Sequence, residues 1–189
     1  MKVIQLFKNE NRLIRLAVEK NRDAQEQLYR SHSAKMLSIC RMYIKDLHHA
    51  EDVMLSGFLK VFTHIGQFRN EGSFEGWMRK IMVRESISFL RTQKNLEISE
   101  EIQERDAGDL NNIQAGIDVE HIQQLIDALP EGYKVVFVMY AIEGYKHKEI
   151  SEILNISEGT SKSQLFKARM LLQEKIKNQK NSEYGTAKI

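Results

Sequence analysis

Residues 143–172 read EGYKHKEISEILNISEGTSKSQLFKARMLL, and this stretch predicts two short helices joined by a tight turn. Ile150, Ile153 and Leu154 repeat at the spacing of one helix face. Asn155-Ile156-Ser157 interrupts that run, and a second helix is expected to begin directly after it. The pattern is typical of a helix-turn-helix, whose second helix enters the major groove of DNA.

The second helix of this motif is predicted to have an inward and an outward face. Leu165, Ala168 and Leu172 are spaced to face a core. Cationic side chains neutralise phosphates, while Ser and Gln can hydrogen-bond base edges. We assign to the outward face Lys162, Ser163, Gln164, Phe166, Lys167 and Arg169. The alternative is an ordinary amphipathic surface helix whose charges only face solvent.

The composition predicts a folded, all-α protein. The chain has 189 residues, of which 42% are hydrophobic and 29% charged, and these values exclude a wholly disordered chain. It has one proline and ten glycines, and its apolar residues mostly follow a helical rather than an alternating period. Its single cysteine, Cys40, cannot form an internal disulfide. Neither a membrane-spanning apolar run nor a signal peptide is apparent, so we expect a cytoplasmic protein without direct membrane insertion.

Charge is distributed unevenly along the chain. The net charge is +2, but residues 95–120 hold eight acidic residues against Arg105 alone, a net charge of −7. Residues 146–180 hold eight basic residues against four acidic ones, a net charge of +4. The basic end is suited to nucleic acid, and the acidic stretch buries too little apolar surface to fold.

These patterns predict two helical domains joined by a flexible acidic linker. The linker covers residues 94–118, and it separates an N-terminal domain over 10–93 from a C-terminal domain over 119–178. The C-terminal domain is expected to have four helices: one over 119–129 that Pro130 ends, a buried one over 131–142, and the two of the helix-turn-helix.

In the N-terminal domain we expect three helices. The first covers 23–45 with Asp23 as its cap, and the second begins at Asp46 and stops at Gly66. The third, over 74–91, follows Ser73 as its cap.

The third helix carries both apolar and charged side chains. Helical phase assigns Phe74 and Trp77 to the core rather than to a base-stacking surface. Glu85 falls on the apolar face, and this position predicts a buried partner such as an arginine.

Three segments in this order resemble the small bacterial sigma factors of the extracytoplasmic-function (ECF) group. They are AEDVMLSGFLKVF at 50–62, GSFEGWMRKIM at 72–82, and residues 143–169 of the helix-turn-helix. The resemblance implies a subunit that binds core RNA polymerase, directs it to specific promoters and assists DNA opening. It implies no enzymatic activity and no cofactor. The resemblance also implies an anti-sigma protein as a further partner. It implies that the linker runs through the polymerase toward the RNA exit, and the alternative is that the linker is only a tether between the domains.

The resemblance assigns core-polymerase binding to part of the segment 50–62. The residues at matching positions are Glu51, Asp52, Leu55, Phe58 and Lys60. An acidic amphipathic helix can lie against a basic helical hairpin, although Glu51 and Asp52 can equally complement their own helix dipole. Leu55-Ser56 stands where many members have Gln-Glu, and a leucine there favours a larger apolar contact.

Similarity assigns capture of an unpaired base of the minus-ten element to the loop before the third helix and to that helix. The residues are Arg69, Asn70, Glu71, Ser73, Lys80, Arg84 and Arg91. Asn70, Glu71 and Ser73 are expected to act as pocket donors and acceptors, and the cations of the helix to hold phosphates. Arg84 and Ser88 stand where the family often has Asn and Asp, so the family's base preference does not transfer.

Similarity assigns the distal minus-thirty-five element to the second helix of the helix-turn-helix. The residues are Thr160, Lys162, Ser163, Gln164, Phe166 and Lys167. Gln164 stands where an arginine is common, so a guanine or phosphate contact should be softer there. His147 is expected either to touch the flanking DNA backbone or to be an idle surface histidine.

The sequence also bears on two other classes of function, an enzyme and a conventional regulator. No phosphate-binding glycine motif, metal-ligand spacing or nucleophile motif is present in the sequence, which argues against an enzyme. A conventional helix-turn-helix regulator needs only the DNA-binding end, and it leaves the 50–62 helix and the loop at 69–73 without a role.

Overall fold

The computed structural model describes the backbone of residues 2–93 and 119–185, and the side chains of residues 10–93 and 120–178. Within these ranges every regular element is helical, which confirms the predicted all-α class. The chain divides into two compact units, Met1–Leu90 and Arg91–Ile189. The predicted linker, 94–118, lies outside the described residues. No described helix combines the length and the apolarity that crossing a membrane would require.

The described residues of unit 1 form four α-helices and one 3-10 turn, and the last helix continues to Thr92, just past the unit's boundary. They are α1 (Lys2–Val18), α2 (Arg22–Tyr43), α3 (Leu47–His64), the 3-10 turn (Ile65–Gln67) and α4 (Phe74–Thr92). α1 packs on α2 and on the 3-10 turn, and α2 packs on α3. Sequence reasoning predicted the last three helices and missed α1.

The helix caps of unit 1 partly match the prediction. Asp46 caps α3 by accepting a hydrogen bond from His49 N at 2.9 Å, as predicted. The cap of α2 is Asn21, whose side chain accepts from Ala24 N at 2.9 Å, so the assignment to Asp23 is wrong. Gly66 lies within the 3-10 turn without a positive φ, and it is therefore not a glycine stop.

The core of unit 1 forms where α2, α3 and α4 meet. Met36, Cys40 and Tyr43 of α2 are fully buried, as are Met78 and Met82 of α4. Burial raises the pKa of the Cys40 thiol to about 11, so this cysteine is a buried, protonated core residue.

Gly57 of α3 faces the Met82 side chain of α4. A Cβ atom at Gly57 would collide with Met82 Sδ, so any other residue there would require the buried Met82 side chain to shift. α3 carries the predicted polymerase-binding residues, and α4 carries several of the predicted minus-ten residues. The contact at Gly57 therefore lies between the helices that carry these two predicted sites.

The described residues of unit 2 that follow the predicted linker form four α-helices, as predicted. They are α5 (Val119–Asp127), α6 (Glu131–Phe137), α7 (His147–Leu154) and α8 (Glu158–Gly185). α6 continues as a π-helical segment, Val138–Ile142, and α8 packs against α6 and α7. The core includes Lys134, which is fully buried and donates to Glu131 Oε1 at 2.9 Å, a pair that the sequence did not reveal.

The turn between α7 and α8 has the geometry of a helix-turn-helix. Asn155 adopts the left-handed conformation, with φ of 57°, and Ile156 N donates to Ser151 O at 3.1 Å across the end of α7. Ser157 Oγ then accepts from Thr160 N at 2.9 Å and caps α8. The predicted break at 155–157 is confirmed, and its cause is the tolerance of Asn for this conformation.

Candidate protein and nucleic-acid interfaces

An exposed face runs along the middle of α3. Leu55 is 52% exposed and Leu59, one turn later, is 70% exposed. Asp52 precedes Leu55 by three residues and is also exposed, so the three side chains are neighbours on one stripe. The two leucines therefore expose adjacent apolar area beside a carboxylate. We call Asp52, Leu55 and Leu59 the α3 face.

Phe58, one of the predicted polymerase contacts, lies in the core instead. It is 3% exposed, and its ring lies 4.8 Å from that of Tyr29 and 6.0 Å from that of Phe62. Glu51 is half-buried, and its carboxylate lies 3.7 Å from His48 Nδ1. α3 begins at Leu47, so Glu51 and Asp52 lie beyond the first turn, where a helix dipole has little effect.

Lys60, another predicted polymerase contact, binds within unit 1. Its Nζ donates to Glu85 Oε1 of α4 at 2.6 Å. The Glu85 side chain is 15% exposed and the Lys60 side chain 53%. Glu85 thus has a cationic partner, as predicted, but this partner is a half-exposed lysine rather than a buried arginine.

A cavity of about 330 Å³ opens between the 3-10 turn and the first turns of α4. This volume falls at the lower end of the roughly 300–1,000 Å³ of ligand pockets, a size that suits one nucleobase. Asn70 and Gly72, with φ of 57° and 106°, turn the backbone around the cavity. The lining residues are Gln67, Phe68, Arg69, Glu71, Gly72, Ser73, Gly76, Trp77 and Lys80.

Four of the predicted minus-ten residues line this cavity. Arg69, Glu71 and Lys80 are exposed and supply two cations and one carboxylate. Ser73 lines it as well, but its Oγ accepts from Gly76 N at 3.1 Å and caps α4, as predicted. Asn70 shapes the loop through its backbone and is not among the lining residues.

Aromatic rings form one wall of the cavity. Phe74 is buried, which confirms it as a core residue, and its ring stacks on Trp77 at 5.7 Å. The Trp77 ring is also 5.7 Å from that of Phe68. Trp77 is only half-buried and lines the cavity, so the assignment of Trp77 to the core alone is wrong. Its position one turn after the loop at 68–73 is the signal that could have revealed this.

Cations continue from the cavity along α4. Lys80, Arg84 and Arg91 are all exposed, and their spacing of four and seven residues places them on one stripe. The three cations that the sequence predicted therefore share one exposed stripe of α4, which begins at the cavity with Lys80.

The outward stripe of α8 differs from the predicted one. Lys162 and Met170 are exposed, and Phe166 between them is half-buried. Met170 is 54% exposed, a large value for an apolar side chain. Spacing of four residues aligns the three side chains on the surface. We call Lys162, Phe166 and Met170 the α8 stripe.

Three predicted minus-thirty-five residues are buried instead. Gln164 is 1% exposed and Ser163 9%, so their predicted outward position is wrong, and Thr160 is 2% exposed. Residues two apart on an α-helix lie about 160° from each other, so an outward Phe166 turns Gln164 inward. The Ser163 hydroxyl donates to Thr160 O at 3.0 Å, and the Thr160 hydroxyl lies 2.8 Å from Ser157 Oγ.

His147 connects α7 to α8. Its Nδ1 lies 2.9 Å from Ser161 Oγ, and its ring stacks on that of Tyr140 at 4.5 Å. Burial lowers the pKa of His147, and the charges of Lys162 and Arg169 lower it further, against the opposing effect of Glu158. His147 is therefore not an idle surface histidine, and it is neutral at pH 7.

Two more cations of α8 lie over tyrosine rings. Lys167 Nζ is 6.0 Å from the ring centroid of Tyr133, and the Arg169 guanidinium is 5.8 Å from that of Tyr140. Contacts of this kind hold a cation over an aromatic face. They fix both cations on the flanks of the α8 stripe.

Family comparisons match both units. A model described as sigma-70 region 2 matches residues 28–96, which contain α3, the cavity and α4. A model described as sigma-70 region 4 matches residues 120–172, which contain the helix-turn-helix.

Individual relatives agree with this assignment. The chain is 27% identical over 144 residues to RNA polymerase sigma factor SigV of Bacillus subtilis, covering 75% of this chain and 84% of that protein. It is 28% identical over 138 residues to the ECF RNA polymerase sigma-E factor of Haemophilus influenzae, covering 66% and 73%. Its fold resembles the sigma factor RpoE of Bartonella quintana, solved in complex with the anti-sigma factor NepR. The TM-score is 0.54 at 18% identity, covering 80% and 96%. This chain thus belongs to the ECF group of the bacterial sigma-70 family.

Proposed function

We propose that this chain initiates transcription by contacting core RNA polymerase and both promoter elements with separate surfaces. Unit 1 uses the α3 face for polymerase and the cavity for an unpaired base of the minus-ten element. Unit 2 uses the α8 stripe for the minus-thirty-five element. The proposal depends mainly on one observation. The same chain has a cavity of the size of a base, lined by cations, and a helix-turn-helix.

The α3 face is suited to a protein rather than to DNA. Leu55 and Leu59 supply exposed apolar area, and Asp52 adds a negative charge that nucleic acid would repel. A basic helical hairpin of the polymerase would bury the leucines and pair with the carboxylate. Lys60 and Phe58 support this face from inside unit 1, through Glu85 and the aromatic core.

The cavity is suited to a base that has left the duplex. A flipped base needs an aromatic surface for stacking and polar groups for its edge. Trp77 and Phe68 offer the first, while Glu71, Arg69 and Lys80 offer the second. The α4 cations beyond the cavity then hold the backbone of the same strand, so DNA opening is stabilised by capture of the unpaired strand.

The proposed function also has consequences for the regulation and the location of the protein. A chain of two units can be inactivated by a protein that covers surfaces on both, and we propose an anti-sigma protein as that partner. We place the protein in the cytoplasm, where bacterial polymerase acts, and assign it no catalytic reaction and no cofactor of its own.

The experiment that tests the proposed function is transcription with purified components. Core polymerase and this chain are mixed with duplexes carrying the promoters that map upstream of genes induced by its overproduction. The proposal predicts defined transcripts that neither component gives alone. A conventional regulator would bind the same duplexes but yield no transcript with core polymerase, and that result would replace the proposal.

A further inference from the structure

We propose that Phe166 and Met170 form an apolar reader of thymine methyl groups in the major groove of the distal promoter element. The inference rests on the proposed function and assigns a base chemistry to its DNA-reading helix.

The α8 stripe places two large apolar side chains on the surface of the second helix of the helix-turn-helix. Met170 is 54% exposed, and Phe166 one turn earlier is half-buried. Lys162, one turn before Phe166, is exposed on the same stripe. The stripe therefore begins with a cation and continues as two large apolar side chains.

The polar side chains that could read base edges are withdrawn from this surface. Gln164 and Ser163 are buried, and the Ser163 hydroxyl already donates to Thr160 O. Hydrogen-bond readout by these two residues is therefore blocked, and the accessible side chains of the stripe are a cation and two apolar groups.

Thymine is the base that such a surface can distinguish. Its C5-methyl group is the only apolar group that the natural base pairs present in the major groove, and apolar side chains contact it. An aromatic ring followed one turn later by a flexible thioether can cover methyl groups on neighbouring base pairs.

The charges around the stripe favour DNA over a protein as its occupant. Lys162 lies on the stripe, and Lys167 and Arg169 flank it over their tyrosine rings. Three cations around an apolar pair complement phosphates on both sides of a groove. Phe166 and Met170 also lie on α8, the helix that follows the left-handed turn at Asn155.

The test compares thymine with deoxyuridine, which lacks only the methyl group. Duplexes that bind the holoenzyme are first selected from a randomised pool. Each thymine of the distal element is then replaced singly by deoxyuridine. Binding should weaken by about fourfold at one or two positions, the factor expected from one buried methyl group.

Substitutions of Met170 test whether the α8 stripe causes the preference for thymine over deoxyuridine. Met170→Ala should bind thymine and deoxyuridine duplexes equally at the position that this residue covers, whereas Met170→Leu should keep most of the preference. Ile122→Ala is the matched control, since Ile122 is 42% exposed on α5 and lies outside the stripe. Circular dichroism melting checks that each variant is folded.

The outcomes are separable. Tight binding to selected duplexes without any deoxyuridine effect, or with an effect that Met170→Ala retains, overturns the methyl reader and leaves the proposed function intact. Weak, unselective DNA binding combined with a Met170-dependent protein contact would assign the stripe to a protein instead. A holoenzyme that fails to form overturns both proposals.

Discussion

Lys60 Nζ of α3 lies 2.6 Å from Glu85 Oε1 of α4, and this ion pair joins the helix with the proposed polymerase contact to the helix with the proposed strand contact. Glu85 is mostly buried, so Lys60→Ala should leave a carboxylate without its cation. Because half of the Lys60 side chain is exposed to screening solvent, we expect a loss of about 1 kcal/mol in the free energy of unfolding of unit 1.

A double-mutant cycle measures the pair itself. Lys60→Ala, Glu85→Ala and the double variant are unfolded in urea, with Trp77 fluorescence as the probe, since this tryptophan is the only one in the chain. The coupling should be about 0.5–1 kcal/mol. Additive effects would show that Lys60 does not stabilise the α3–α4 contact.

The α3 face predicts a separation of folding from polymerase binding. Leu59→Asp places a charge where an apolar partner surface is expected, and it should weaken binding to core polymerase by at least about tenfold, or 1.4 kcal/mol. Leu59 is 70% exposed, so the melting temperature should hardly change. Fluorescence anisotropy of labelled protein measures the affinity. Val18→Asp, at an exposed valine of α1, is the control, and equal weakening by both variants would count against the α3 face.

Trp77 predicts a defect in DNA opening rather than in duplex binding. Trp77→Ala removes the stacking wall of the cavity, and loss of one base stack costs about 1–3 kcal/mol. Thymines in the melted region should lose most of their permanganate reactivity, while the affinity for a duplex with only the distal element stays unchanged. Trp77→Phe should restore part of the opening. If Trp77→Ala opens promoters normally, the cavity is not the base pocket.

The helix-turn-helix predicts opposite effects of two substitutions at Asn155. Its φ of 57° is costly for residues with a Cβ, so Asn155→Ala should destabilise unit 2 by about 1 kcal/mol. Asn155→Gly should be neutral or slightly stabilising, because glycine adopts this conformation without that cost. Amide hydrogen exchange in α7 and α8 reports on unit 2 alone. Faster exchange in the glycine variant than in the alanine variant would contradict the turn geometry.

The lowered pKa of His147 predicts an acid-sensitive unit 2. The unfolded histidine titrates near its ordinary value of 6.5, and the folded one below it. As pH falls through 6.5 the unfolded state takes up a proton first, so this contribution to stability is complete above pH 7 and declines toward pH 5. Hydrogen exchange at pH 7.5 and 5.5 checks it. His147→Gln should lose this part of the pH dependence, and an unchanged dependence would assign it to other groups.

The sequence predicted the fold well because helical periodicity and capping residues are local signals. Asp46, Ser73 and the break at Asn155 were all identifiable from the chain alone. Asn21 was missed because Asp23, two residues later, is an equally good cap by composition. α1 was missed because no cap or glycine marks its limits clearly.

The sites were predicted less completely because exposure depends on packing. Gln164 and Phe166 both fit a list of DNA-reading residue types, yet they lie on opposite faces of α8. Met170 was overlooked because an exposed methionine looks like a core residue in sequence. Trp77 was misassigned for the same reason. Helical phase predicts which face of α4 carries its side chain, but it does not reveal that a cavity lies beside that face.

Promoter footprinting of the holoenzyme tests the central claim most directly. One complex of core polymerase with this chain is probed on one duplex, with nuclease for protection and with permanganate for unpaired thymines. Our account expects protection of both the minus-thirty-five and the minus-ten elements, with reactive thymines at the minus-ten element alone. Protection of the distal element only, without reactive thymines, would contradict it.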